Sequence, residues 1–236
     1  MGASGVSAMV VHCLTRVDCG GRALRWWPVD HYFSAKPASP DERRQISVSL
    51  DGRDFTVETA PGVFSPGRID LGTTVLLDTV GAPPAGQVLD LGCGWGPIAL
   101  TAALREPSAT VTALDVNERA LDLLEHNIAR VRASAVLATV SPTLAAGIDP
   151  GLRFDAIWSN PPIHIGKPAL HELLTAWLPR LRAEGEAWLV VQKNLGSDSL
   201  AAWISRQVDE EGLPWGTVEK VRSSKGFRVL VFTRAG

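Results

Sequence analysis

Cysteine is scarce in this chain. There are three in 236 residues, at Cys13, Cys19 and Cys93, an odd number with no C-x-x-C pair. That argues against a disulfide framework and against a cysteine zinc site, and it points to a reducing, cytoplasmic setting. No His/Cys/Asp set has metal-ligand spacing, so no metal is expected. Long apolar runs are missing as well. The longest, such as 187–191, are strand-sized and fall well below the ~18 residues of a membrane span, so no membrane association is expected. Nor is there an excess of one charge: 23 basic against 25 acidic residues leave a net −2. Binding nucleic acid by bulk charge is thereby excluded, although a local basic face is not. Repeats and low-complexity tracts are absent. What remains, 45% apolar and 20% charged, is a globular composition of a length that suits one large domain or one domain with an extension.

Residues 1–30 have no clear period and read as a loose, partly ordered leader. Their apolar patch at 6–14 is followed by Arg16, Asp18, Arg22 and Arg25 without an A-x-A-like site, so a secretory signal is not expected. From Gln45 the pattern becomes regular. Ile46, Val48 and Leu50 alternate with polar residues, Asp51-Gly52 follows, and Phe55 and Val57 alternate again. Asp-Gly between alternating runs predicts a hairpin, because that turn needs positive φ. The hairpin is expected to be an N-terminal appendage. A Gly/Pro-punctuated loop over 62–70 then leads to a short helix over 73–80.

Beyond Gln87 strands and helices alternate. Strands are predicted at 88–91, 110–114, 136–140, 154–159 and 186–192, and helices at 97–105, 118–132, 169–182 and 199–210. Buried apolar strands alternating with helices imply an α/β fold with a largely parallel sheet covered on both faces. Two β-like runs, 217–222 and 227–233, end the chain with no helix between them, so they are expected to pair antiparallel.

The most informative stretch runs Asp90-Leu91-Gly92-Cys93-Gly94-Trp95-Gly96-Pro97, at the junction of a strand and a helix. Its glycines let the backbone turn tightly and approach a ligand, and the helix start offers free N–H donors. Asp115 ends the next strand, where a carboxylate can accept both hydroxyls of a ribose. Together they read as a site for a nucleoside-containing cofactor. The third glycine comes one residue too early for the nicotinamide fingerprint. Asp90 would also repel a pyrophosphate and suits a cofactor carrying a cationic amine.

Directly after the fourth strand of that series comes Ser159-Asn160-Pro161-Pro162-Ile163. In an open α/β sheet ligands collect at the carboxyl ends of strands. Neither proline has an N–H, so the segment presents acceptors: the Asn160 side-chain oxygen and the carbonyls of Asn160 and Pro161. An exocyclic amine on a base is a weak nucleophile, because its lone pair is delocalised into the ring. Two acceptors on its N–H groups favour a pyramidal nitrogen whose lone pair is available, with no strong base needed at the start.

These three motifs, Asp90–Gly96, Asp115–Asn117 and Ser159–Lys167 in this sequence, resemble a class I S-adenosylmethionine-dependent methyltransferase of the methyltransferase small domain family. That family contains the bacterial small-subunit ribosomal RNA guanine-N2 methyltransferases. The similarity runs from about His31 to Arg234, and His31-Tyr32-Phe33-Ser34, Gly62-Val63-Phe64-Ser65 and Leu71-Gly72-Thr73 resemble its N-terminal blocks. The resemblance implies a seven-stranded, mostly parallel Rossmann-like sheet with its last strand antiparallel, and a short N-terminal β-hairpin extension. It implies a methyltransferase domain over 31–236, with the extension over 31–69 and the catalytic core over 70–236. By the same resemblance Asp90, Gly92 and Gly94 line the methionine end of S-adenosylmethionine. Asp115 holds the ribose, Val116 lies against the adenine, and Thr73 reaches the methionine carboxylate. Asn160 and Pro161 bind the target amine, with Pro162, Ile163 and His164 beside the substrate. The implied activity is methylation of an exocyclic nitrogen, foremost guanine N2 of small-subunit (16S) ribosomal RNA, with the RNA or the small subunit as partner. Adenine N6 of nucleic acid and the amide nitrogen of a protein glutamine stay open as targets, and a non-catalytic RNA-binding assembly module is the alternative outside enzymes. A monomer is the default state.

Two departures from the family pattern stand out. Ile163 occupies a place where many relatives have a stacking aromatic, and Val140-Ser141 replaces the Asp or Asn often found near the adenine. His164 suits a base or phosphate contact as well as it suits a solvated loop. Lys167, Lys193, Arg222, Lys225 and Arg228 could flank an RNA path, residues 218–234 carrying five basic residues and one acid. Cys93 reads as a small filler, and Trp158, Trp177, Trp188 and Trp203 as core or half-buried residues.

Overall fold

A computed structural model describes residues 39–162 and 165–236. The expectations for the leader over 1–30, for the block at His31 to Ser34, and for Ile163 and His164 lie outside the described residues.

The hairpin forms as its sequence demands. Strand β1 (Arg44–Leu50) pairs antiparallel with β2 (Arg53–Thr59), and the turn residues Asp51 and Gly52 both have positive φ, 51° and 70°. Its inward residues Val48, Leu50, Phe55 and Val57 join the same apolar cluster as the two long helices described next, so it is packed onto the domain instead of projecting from it. Helix α1 (Leu71–Leu77) follows.

The main sheet is built from β3 (Gln87–Leu91), β4 (Thr110–Leu114), β5 (Thr139–Thr143), β6 (Phe154–Ser159), β7 (Leu181–Gln192), β8 (Gly216–Ser224) and β9 (Phe227–Arg234). Their order is β5-β4-β3-β6-β7-β9-β8. The first five are parallel, and β9 inserts between β7 and β8 antiparallel to both. This is the seven-stranded arrangement the resemblance implied. Helices α2 (Pro97–Arg105) and α3 (Glu118–Arg132) cover one face with α1 and the hairpin. Helices α4 (Lys167–Trp177) and α5 (Ser197–Ile204) cover the other. Side chains on neighbouring strand positions part accordingly. Val88 enters the first core and Leu89 the second, as a period of two requires.

Boundaries shift where a local signal was overridden. Helix α1 starts at Leu71, before the expected 73, because Asp70 caps it by accepting from the Gly72 and Thr73 amides. Strand β5 runs over 139–143, and not 136–140. Pairing with β4 sets its register, Val136 is left 74% exposed, and Pro142 is tolerated because β5 is a sheet edge. Helix α4 gives way at 178 to a short 3₁₀ turn containing Pro179, which cannot continue the hydrogen-bond ladder, so β7 starts at Leu181. Helix α5 ends at Ile204, short of the expected 210. Beyond it Asp209 accepts from the Glu211 and Leu213 amides and turns the chain toward β8.

Candidate active site

The strand order reverses at β3, which has β4 on one side and β6 on the other; the carboxyl ends of strands at such a point are where open α/β sheets bind their ligands. Asp90 pairs in register with Trp158, and continuing that register sets Asn160 level with Gly92. The Ser159 hydroxyl donates to the Leu91 carbonyl at 2.6 Å and ties the two strand ends together. The three motifs far apart in the chain thus meet at one place.

The glycine loop is held from β4. The Gly92 and Cys93 amides both donate to the Leu114 carbonyl at 2.9 Å. Gly92 has φ of +85°, and a Cβ built on it, or on Gly94, would meet nothing within 4 Å. Both positions face open space. Gly96 is different: with φ of +103° its Cβ would lie 2.2 Å from Leu124, so this glycine serves the packing of α3 against the loop. Cys93 and Trp95 are buried, and the Trp95 indole donates to the Ser65 carbonyl at 3.3 Å. Burial pushes the Cys93 thiol well above its usual range, and the nearby charges of Asp115 and Asp90 add to that, consistent with an inert filler.

Two carboxylates frame the cradle. Asp90 is buried. One of its oxygens accepts from the Ala99 amide in the first turn of α2 at 2.9 Å, whereas Oδ1 has no partner among the described residues. Burial holds this carboxyl well above the usual carboxylate range; the Ala99 hydrogen bond opposes the shift and the charge of Asp115 adds to it. Asp115 is half-buried at the end of β4 and accepts from the Gly94 amide at 2.8 Å and the Asn117 amide at 2.9 Å. Burial raises its pKa and these amides hold the rise back. The Val116 amide also hydrogen-bonds this carboxylate. Val116 beside it is half-exposed. Asn117 caps α3 and donates to the Gly62 carbonyl at 2.7 Å, which fastens the 62–65 loop beside the carboxyl end of β4.

Asn160 is half-buried. Its Nδ2 donates to Asp70 Oδ2 at 2.9 Å and to Thr73 Oγ1 at 3.1 Å, and its Oδ1 accepts no hydrogen bond among the described residues. Among the described residues the carbonyls of Asn160 and Pro161 accept no hydrogen bond, whereas that of Pro162 accepts from Ile165 at 3.2 Å. Pro161 is buried and Pro162 half-buried. Hydrogen bonds join Asn160 to Thr73 and Gly94 to Asp115, and the register sets Asn160 level with Gly92, two residues beyond Asp90, so these six residues gather at the same strand ends, Asp90 and Thr73 being buried there. Asp70 was not among the residues singled out from sequence. Its only signal was an acidic residue two places before Gly72-Thr73, a helix-cap pattern; its contact with Asn160 spans 90 positions.

Known proteins resemble the chain in sequence and in fold. The model of the methyltransferase small domain matches residues 54–231. An uncharacterised Bacillus subtilis protein, YbxB, is 33% identical over 202 residues, covering 85% of this chain and 96% of that protein. Ribosomal RNA small subunit methyltransferase C of Pseudomonas entomophila is 34% identical over 210 residues, 87% of this chain but 59% of that longer protein. Among solved structures, a T. thermophilus 16S rRNA N2 methyltransferase in complex with AdoMet and guanosine superposes with a TM-score of 0.65 at 24% identity, covering 84% of this chain and 52% of that one. The chain belongs to the methyltransferase small domain family, a class of S-adenosylmethionine-dependent enzymes.

Proposed function

We propose that this protein methylates an exocyclic amino nitrogen, guanine N2 of small-subunit ribosomal RNA. The observation that carries the reading is the Asn160 side chain: both its N–H groups are engaged by Asp70 and Thr73, so an acceptor oxygen stands at the end of β6 beside an open glycine cradle. Relatives named as ribosomal RNA small subunit methyltransferases support the substrate class.

The residues present fit S-adenosylmethionine. The oxygen of buried Asp90 that has no partner among the described residues suits a cationic ammonium, and the space above Gly92 and Gly94 admits the methionine end. Asp115, steadied by three amides, retains acceptor capacity for the ribose, and Val116 offers an apolar surface to the adenine. Thr73 accepts from Asn160 and retains its own hydroxyl proton for the methionine carboxylate. When bound, the cofactor supplies an electrophilic methyl carbon. Asn160 Oδ1 and the carbonyl of Asn160 or Pro161 accept the two N–H groups of the target amine and turn its lone pair toward the cradle. The same acceptors stabilise positive charge as it develops on that nitrogen. The two prolines keep this corner rigid.

Nucleoside mass spectrometry of ribosomal RNA from cells lacking the gene tests the assignment. An N2-methylguanosine present in the parent strain should be missing and should return with the gene. An unchanged profile would overturn the ribosomal RNA reading and move the target to another amine.

A further inference from the structure

We propose that Asp70 is a positioning residue, which locks the Asn160 amide with its oxygen toward the substrate; the inference rests on Asn160 being the amine acceptor. A primary amide has nearly the same shape after a half-turn, so packing alone does not decide which end faces the substrate. Chemistry does. An ionised carboxylate only accepts, and Asp70 Oδ2 lies 2.9 Å from the Asn160 amide nitrogen. The reverse orientation would set an oxygen against a carboxylate. Thr73 takes the second N–H at 3.1 Å, but a hydroxyl serves either end of an amide and so does not choose between them.

Asp70 is itself immobilised. The oxygen that faces Asn160 also accepts from the Gly72 amide at 2.7 Å and the Thr73 amide at 3.3 Å, as the N-cap of α1. That first turn is seated against β9: a Cβ on Gly72 would come within 2.8 Å of the Phe227 ring and 2.9 Å of Asp70 Oδ2. Helix α1 thus serves as the mount for a single carboxylate oxygen. The charge on Asp70 also polarises the amide and makes its oxygen a stronger acceptor.

The variant Asp70→Ser tests this, because Ser caps helices about as well as Asp does while its neutral hydroxyl serves either end of an amide and so does not choose between them. In the ligand-free full chain, the side-chain ¹⁵N–¹H resonances of Asn160, assigned by their loss in Asn160→Ala, should sit away from solvent-exposed amides and exchange slowly. In Asp70→Ser they should move toward the solvent-exposed range, with the melting temperature within about 2 °C of wild type. With S-adenosylmethionine and 16S ribosomal RNA, kcat should fall about tenfold or more while KM for the cofactor stays within about twofold. Asp70→Thr, another capping hydroxyl lacking the carboxylate, should behave alike and covers the case in which the first variant misfolds. Unchanged Asn160 resonances, or a kcat within about threefold of wild type, would overturn the proposal. A wild-type protein that leaves RNA unmethylated would instead count against the substrate reading, and the resonances alone would then decide the role of Asp70.

Discussion

At the residue scale, Asp90 carries a tension between stability and binding. Its carboxyl is buried, one oxygen lacks a partner among the described residues, and burial holds its pKa well above the usual carboxylate range. A carboxyl that binds its proton more tightly folded than unfolded favours the folded state at low pH. That advantage is lost as the pH rises through the folded value. Asp90→Asn has no such titration, so the ligand-free variant should gain in melting temperature relative to wild type as pH rises from about 4.5 to about 7.5. The same variant should bind S-adenosylmethionine more weakly, because it lacks the carboxylate proposed to meet the amine. A melting-temperature difference that shrinks with rising pH would contradict the assignment of strain to this carboxyl.

At the element scale, the glycine loop and its clamp on α3 separate packing from binding. Gly96→Ala should destabilise the fold by about 1–3 kcal/mol, since the added methyl meets Leu124 and the backbone sits at positive φ. Gly92→Ala carries the backbone strain but meets open space, so its larger effect should be on cofactor affinity, read by calorimetry. Equal effects on stability and affinity in both variants would contradict this division. Asn127 is the clamp. It is fully buried, accepts from the Glu58 amide at 2.6 Å, and donates to the Glu58 carbonyl at 2.9 Å and the Trp95 carbonyl at 3.0 Å. It joins hairpin, helix and glycine loop at one point. Asn127→Ala should cost about 2–4 kcal/mol in denaturant unfolding, because backbone groups are left unpaired. A cost under about 1 kcal/mol would show that Asn127 does not clamp the hairpin.

At the scale of the whole molecule, what the sequence made legible was whatever is decided locally. Helices α2 and α3 begin at Pro97 and after the Asn117 cap, and strands β4 and β6 are apolar runs buried on both faces; all four stand where the pattern placed them. The site was legible because in a parallel sheet the strand ends that carry Asp90, Asp115 and Asn160 must come together. Strand β5 was displaced because its register is set by β4, a partner its own residues do not announce. The hairpin's seat on α3 and the Asp70–Asn160 contact stayed hidden for the same reason, each joining positions more than 60 apart. The account comes down to methyl transfer directed by the corner at Asn160. It is tested most directly by incubating the wild-type chain and Asn160→Ala with labelled S-adenosylmethionine and unmodified small-subunit ribosomal RNA, then digesting the RNA to nucleosides. Wild type should place the label in N2-methylguanosine. Asn160→Ala should lose about a hundredfold or more in rate while binding the cofactor within about twofold of wild type. Label incorporated by the variant at a rate close to that of wild type would contradict the account.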